Sequence, residues 1–66
     1  NKKMILQRID EEIQRQLQRK QSLQNMVDQK MLAQENATKY VIKKSMTISF
    51  IQDLKLLKED VKELIQ

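Results

Sequence analysis

The sequence predicts an all-α chain whose helices carry apolar stripes for packing against other helices. Its 66 residues include no Gly and no Pro, the residues that normally mark turns and helix ends. Hydrophobic residues make up 39% and charged residues 33% of the chain, a composition typical of surface-rich helices rather than of a globule with a large core. Apolar residues also recur at alternating steps of three and four, which is the period of a helix that buries one face.

The first half of the chain follows one heptad frame, a seven-residue repeat whose positions a and d face a neighbouring helix. Between Met4 and Leu32 the apolar members of this frame are Leu6, Ile9, Ile13, Leu23 and Val27, and Leu17 and Met31 flank them. The same frame also includes the polar residues Gln16, Lys20, Lys30 and Gln34. Polar residues on such a stripe cost stability, and they either select a register and partner or reflect loose packing.

The middle of the chain, Ala33 to Lys39, is its least apolar segment. Asn36 tolerates the left-handed conformation that often follows a helix, and Thr38 could cap a second helix, so a helical hairpin could turn at Gln34–Thr38. Ala, Gln, Glu and Lys are nevertheless good helix formers, so a continuous helix through this segment is also compatible with the sequence.

The clearest pattern lies in the last part of the chain, from Phe50 to Ile65. Its apolar residues recur at steps of four and three, at Phe50, Leu54, Leu57, Val61 and Leu64. This phase lies one residue earlier than the first frame, to which Val41 and Ile48 belong. Continuing the first frame would place Lys55, Lys58 and Lys62 on the apolar stripe.

The change of phase predicts an interruption of the helix near Ser45–Ser49. A slip of one residue rotates a helical stripe by about 100°. Ser49 followed by Gln52 also has the form of a capping box, which would start a new helix at Phe50.

These observations predict one long amphipathic helix from about Met4 into the forties, a break or kink near Ser45–Ser49, and a second helix to the C-terminus. The alternative is an antiparallel helical hairpin that turns at Gln34–Thr38, two copies of which would form a four-helix bundle. Because the sequence lacks an initiator Met and its apolar pattern runs to Ile65, we expect residues 1–66 to be a single helical interaction segment of a longer protein.

The residue types present argue against catalysis. Cys and His are both absent, which removes thiolate nucleophiles, disulfides, the commonest general base and the commonest transition-metal ligand. We therefore expect no enzyme activity, no cofactor, no metal site and no catalytic residue. No apolar run approaches the roughly 18 residues that a membrane span requires, so we expect no membrane partner.

The predicted function is a structural protein–protein interaction through helix–helix packing. The expected partners are further copies of the chain, as a dimer or tetramer, or a helix of another protein. The predicted interface residues are Leu6, Ile9, Ile13, Leu17, Leu23, Val27, Met31, Val41, Ile48, Phe50, Leu54, Leu57, Val61 and Leu64.

The alternative function is nucleic-acid binding by a basic helical segment. The net charge is +4, but thirteen basic residues are spread among nine acidic ones, and only Tyr40 and Phe50 are aromatic. Nucleic-acid interfaces more often carry a dense basic patch, and single strands require several aromatic rings for stacking. The charge pattern therefore favours a solvated surface over a nucleic-acid site.

Overall fold

A computed structural model describes residues 1–29 and 34–64 of the chain. Two α-helices, α1 (Lys2–Asp28) and α2 (Gln34–Leu64), lie against each other. Lys58 forms a salt bridge of 2.7 Å with Asp10, and the Nζ of Lys44 donates a hydrogen bond to the Oε1 of Gln24, so α2 runs antiparallel to α1. The described residues include no strand. The all-α prediction is confirmed, and the architecture is the antiparallel helical hairpin that the sequence offered as the alternative.

Helix α1 is shorter than the sequence predicted. The side chain of Asn1 caps its N-terminus, where Oδ1 accepts a hydrogen bond of 3.0 Å from the Met4 N–H. At the other end the N–H of Gln29 donates to the Asn25 carbonyl at 3.1 Å, and the helix ends at Asp28. The prediction of one helix reaching into the forties is therefore wrong. Packing of α2 on α1 buries an apolar face that a single extended helix would expose.

The turn does not lie at Gln34–Thr38, where the hairpin alternative placed it. These residues form the first turns of α2, and the Thr38 hydroxyl donates to the Gln34 carbonyl at 3.0 Å instead of capping a helix. Gln, Glu and Ala are good helix formers, which favours a helix over a turn in this segment. The connection falls between Asp28 and Gln34, and residues 30–33 are outside the described residues.

Helix α2 continues without interruption through Ser45–Ser49, so the predicted break and the predicted helix start at Phe50 are both wrong. Its less exposed residues form a single heptad row: Ala37, Tyr40, Lys44, Thr47, Ile51, Leu54, Lys58 and Val61. Its residues come alternately from the two phases of the sequence: Lys44 and Ile51 belong to the first frame, and Thr47 and Leu54 to the phase of Phe50. No break is needed, because one straight face of the helix contains residues from both.

The seam, our name for the contact between α1 and α2, contains a small hydrophobic core. Ile9 and Ile13 of α1 pack with Ile51 and Leu54 of α2, and Leu17 and Val61 cover this cluster. Leu23 is buried nearer the connection. Lys58 belongs to the same row of α2, but its ammonium group reaches Asp10 at the edge of the seam. Lysine stems can cover apolar surface while the charge stays in water, which explains why Lys58 does not interrupt the seam.

Two polar side chains are also buried in the seam, and both form hydrogen bonds within their own helix. The Nε2 of Gln16 donates to Oε1 of Glu12 at 2.8 Å, and the Thr47 hydroxyl donates to the Lys43 carbonyl at 2.8 Å. Among the described residues no buried side-chain nitrogen or oxygen lacks a partner. Because their partners are local, Gln16 and Thr47 add no hydrogen bond between the helices.

We expect Gln16→Leu to raise the free energy of unfolding of the hairpin by about 1 kcal/mol, because an apolar side chain at this buried position removes more surface from water. Urea unfolding followed by circular dichroism, at equal protein concentrations, measures the effect. The control is Gln18→Leu, which lies on the exposed side of α1 and should change stability little. A less stable Gln16→Leu variant would contradict this assessment of the seam.

Candidate protein-interaction surface

The hairpin separates the predicted interface residues into two groups. Four of them, Ile9, Ile13, Leu23 and Leu54, are buried between α1 and α2, and another four, Leu6, Leu17, Val27 and Val61, are half-buried. Five remain exposed on α2: Val41, Ile48, Phe50, Leu57 and Leu64. Met31 lies outside the described residues. The exposed group is the part of the predicted interface that the hairpin itself does not use, and its contact with another chain stays a prediction.

The most buried hydrophobic residue, Ile51, was missing from the predicted interface. Its exposed fraction is 5%, and it packs with Ile9, Ile13 and Leu54. Ile51 falls in the heptad frame of Val41 and Ile48, whereas Leu54 falls in the phase of Phe50, although the two are three residues apart and so lie on one helical face. Four residues before Ile51, the same helical face carries Thr47. Its polar hydroxyl interrupts the spacing of apolar residues along this face.

A second row of residues runs the length of α2 beside the seam, and we call it the outer stripe. It consists of Lys39, Lys43, Met46, Phe50, Asp53, Leu57, Asp60 and Leu64, at alternating steps of four and three. All eight side chains are exposed. Leu64 is the extreme case, with 81% of its surface accessible to solvent. The outer stripe therefore has the spacing of a helix-packing surface, yet among residues 1–29 and 34–64 no helix covers it.

Other exposed apolar side chains do not form a comparable row. On the opposite side of the seam, Val41 and Ile48 are followed at the same spacing by Lys55 and Lys62. The remaining large exposed residues are Met4, Ile5 and Met26 on α1 and Ile42 and Leu56 on α2. Single exposed apolar residues are common on protein surfaces, so none of these positions by itself marks a packing face.

A groove lies between the outer stripe and α1. It is lined by Gln16, Arg19, Lys43, Met46, Thr47 and Phe50. Sites for small molecules usually enclose most of the ligand, whereas Met46 and Phe50 here are largely exposed. Arg19 and Lys43 give the groove two positive charges beside the apolar side chains of Met46 and Phe50.

The hairpin also separates charge along its length. The described residues between 15 and 48, which flank the connection, include six Lys or Arg and only two acidic residues. The described residues 1–14 and 49–64, at the end where the N-terminus of α1 meets the C-terminus of α2, include six basic and seven acidic residues. One end of the molecule is therefore strongly basic and the other is nearly balanced, an asymmetry that the linear sequence conceals.

Comparisons with protein-family models, with curated proteins and with solved structures find no match to this chain. Within residues 1–29 and 34–64, no group of three His, Cys, Asp or Glu side chains is placed to hold a metal ion. Neither helix, over its described length, is apolar enough to cross a bilayer. The surface features above are thus the basis for a functional proposal.

Proposed function

We propose that this chain is a helix–helix interaction module that associates with further copies of itself. The observation that carries the proposal is the imbalance between buried and exposed apolar side chains in the hairpin. Among the described residues only five hydrophobic side chains are buried, whereas eleven large ones are exposed. Five of the exposed ones belong to the interface predicted from the sequence.

The accessible surface supports the same proposal. It measures 5445 Å², whereas a compact monomer of 7.9 kDa is expected to expose about 4,400 Å². The excess, about 1,000 Å², reflects the elongated two-helix shape, 50 × 14 × 11 Å, which leaves an area similar to one partner's share of a standard interface, about 800 Å², available for contact. Pairing of two hairpins would bring the exposed area of each chain close to that of an ordinary globular protein.

Association would also stabilise the hairpin itself. Chains of this size have little core, and helices in water derive most of their stability from the packing of an apolar face. A partner that binds only the folded hairpin shifts the equilibrium towards the folded state by mass action. We therefore expect folding and association to be coupled, so that thermal stability rises with protein concentration.

Analytical ultracentrifugation over a range of concentrations tests the proposal. We expect a dimer or tetramer at high micromolar concentration, together with a midpoint of thermal unfolding that increases with concentration. A chain that stays helical and monomeric at high micromolar concentration would contradict self-association. Circular dichroism on the same samples shows whether a monomer is folded.

The second candidate is nucleic-acid binding by the basic end of the hairpin, which the charge separation favours. Such binding is recognised by an affinity for duplex DNA or RNA that falls steeply as salt increases. Titration of the labelled nucleic acid at low and moderate salt distinguishes it from self-association. No binding at low salt would remove this candidate.

A further inference from the structure

We infer that the second copy docks on the outer stripe of α2, antiparallel to it, with a two-fold axis close to Phe50. This inference rests on the self-association proposed above and adds the surface and the orientation. Four arguments support it: the position of the stripe relative to the seam, the order of its charges, the adjacent groove, and the charge separation of the whole hairpin.

The stripe lies at the angle that a helical bundle requires. Seven of its members each precede a seam residue by one position, as Lys39 precedes Tyr40 and Phe50 precedes Ile51. One residue corresponds to a rotation of about 100° around the helix. A helix in a four-helix bundle packs against two neighbours on adjacent sides, so α2 can contact α1 through the seam and a second α2 through the outer stripe.

The charges on the stripe are ordered along the helix. Lys39 and Lys43 occupy its N-terminal part, Met46 and Phe50 its centre, and Asp53 and Asp60 alternate with leucines in its C-terminal part. A two-fold axis near Phe50 places Lys39 of each copy opposite Asp60 of the other. It also places Lys43 opposite Leu57 of the second copy, within one turn of both aspartates. Within the described residues, Lys39, Asp53 and Asp60 form no salt bridge in the single hairpin.

Other arrangements of the same stripe are less favourable. A parallel pair in register would place Lys39 against Lys39 and Asp60 against Asp60. An antiparallel pair centred on Leu57 would bring Asp53 of each copy next to Asp60 of the other. Juxtaposed like charges oppose association and exclude wrong registers. The two-fold arrangement near Phe50 is the one that combines apolar contact at the centre with opposite charges on both sides.

The groove beside the stripe fits the same arrangement. With the axis near Phe50, Asp53 of the second copy lies at the level of Thr47, which lines the groove. Arg19 and Lys43, which are positively charged, line the same groove. The antiparallel orientation also places the basic half of each hairpin beside the nearly balanced half of the other, which lowers repulsion between two chains of net charge +4.

The first test compares two adjacent leucines. Leu57 lies on the outer stripe and is 48% exposed, whereas Leu56 lies outside it and is 60% exposed. We expect Leu57→Lys to weaken dimerisation at least tenfold in analytical ultracentrifugation, because it removes an apolar contact and faces Lys43 of the second copy, and Leu56→Lys to leave it within twofold. Circular dichroism confirms that both variants remain helical. Weakening by Leu56→Lys but not by Leu57→Lys would place the interface elsewhere and overturn the inference.

The second test reverses charges on exposed residues, so that it does not depend on the hairpin core. We expect Lys39→Glu with Lys43→Glu to weaken self-association about tenfold, because the charges that face the aspartates of the other copy change sign. Asp53→Lys with Asp60→Lys should do the same. An equimolar mixture of these two double variants, or a chain carrying all four changes, should recover the original affinity.

The outcomes separate this inference from the proposed function. A wild-type chain that remains a monomer would overturn both. A wild-type dimer that neither double variant weakens would overturn the outer stripe alone and leave self-association standing. Loss in both double variants without recovery in the mixture would overturn the two-fold pairing. A wild-type monomer that binds duplex DNA in low salt would replace both with the nucleic-acid alternative.

Discussion

Replacing Ile51 with Asp is expected to unfold the hairpin, whereas the same replacement at Ile42 is expected to leave it folded. Ile51 is the least exposed hydrophobic residue of the described chain and packs with Ile9 and Ile13 across the seam. Ile42 belongs to the same helix but is largely exposed. The two variants are identical in composition, so only the position of the change within the hairpin differs.

The expected loss of folding free energy at Ile51 is comparable with the whole stability of so small a unit. Burial of an isoleucine side chain contributes about 1.5–3 kcal/mol, and a buried carboxylate without a partner costs several kcal/mol more. A domain of this size is stable by about 3–9 kcal/mol, so Ile51→Asp should remove most or all of it. Far-ultraviolet circular dichroism should show a loss of most helical signal for Ile51→Asp and little change for Ile42→Asp.

A folded Ile51→Asp variant with unchanged thermal stability would show that the seam does not hold the two helices together. Both variants should be compared at the same low micromolar concentration. At that concentration association contributes least to the apparent stability, so the measurement reports on the hairpin itself.

Spin labels on Gln7 and Lys62 are expected to lie about 10–20 Å apart, because the two residues occupy the same level of neighbouring helices whose axes are 8–10 Å apart. In one continuous helix the same labels would be separated by about 80 Å. Double electron–electron resonance distinguishes these values directly. The expected difference is large because the hairpin folds the chain back on itself.

A label pair on Gln7 and Glu35 is the matched control. Glu35 lies in the first turn of α2, so its distance from Gln7 is about 40 Å in either architecture. A short distance for the first pair together with about 40 Å for the control supports the hairpin. Dilution of labelled with unlabelled chains shows that the short distance arises within one molecule, and a distance that disappears on dilution would assign it to two chains.

The sequence was sufficient to predict α1 in some detail. Its heptad frame contains the buried residues Ile9, Ile13 and Leu23, and it included Gln16, which is also buried. The frame contains these buried residues because the sequence of α1 shows one apolar face and the hairpin buries that face.

In α2 the spacing of apolar residues does not identify the buried face, because the helix has apolar residues on more than one face. Phe50, Leu54 and Leu57 share one phase in the sequence, but they lie on two faces of α2, the seam and the outer stripe. Leu54 enters the core, while Phe50 and Leu57 stay exposed. The change of phase predicts a break in the helix, whereas in the structure it reflects the width of the apolar surface on one continuous helix.

The sequence alone determined that the chain is helical and that its helices carry packing faces. These properties depend on local features, namely the absence of Gly and Pro and the spacing of apolar residues along each helix. The tertiary structure decided where the chain folds back and which face of α2 is buried. Those choices depend on contacts between residues far apart in sequence, such as Ile13 with Ile51, because the burial of one helix face is favourable only where another helix covers it.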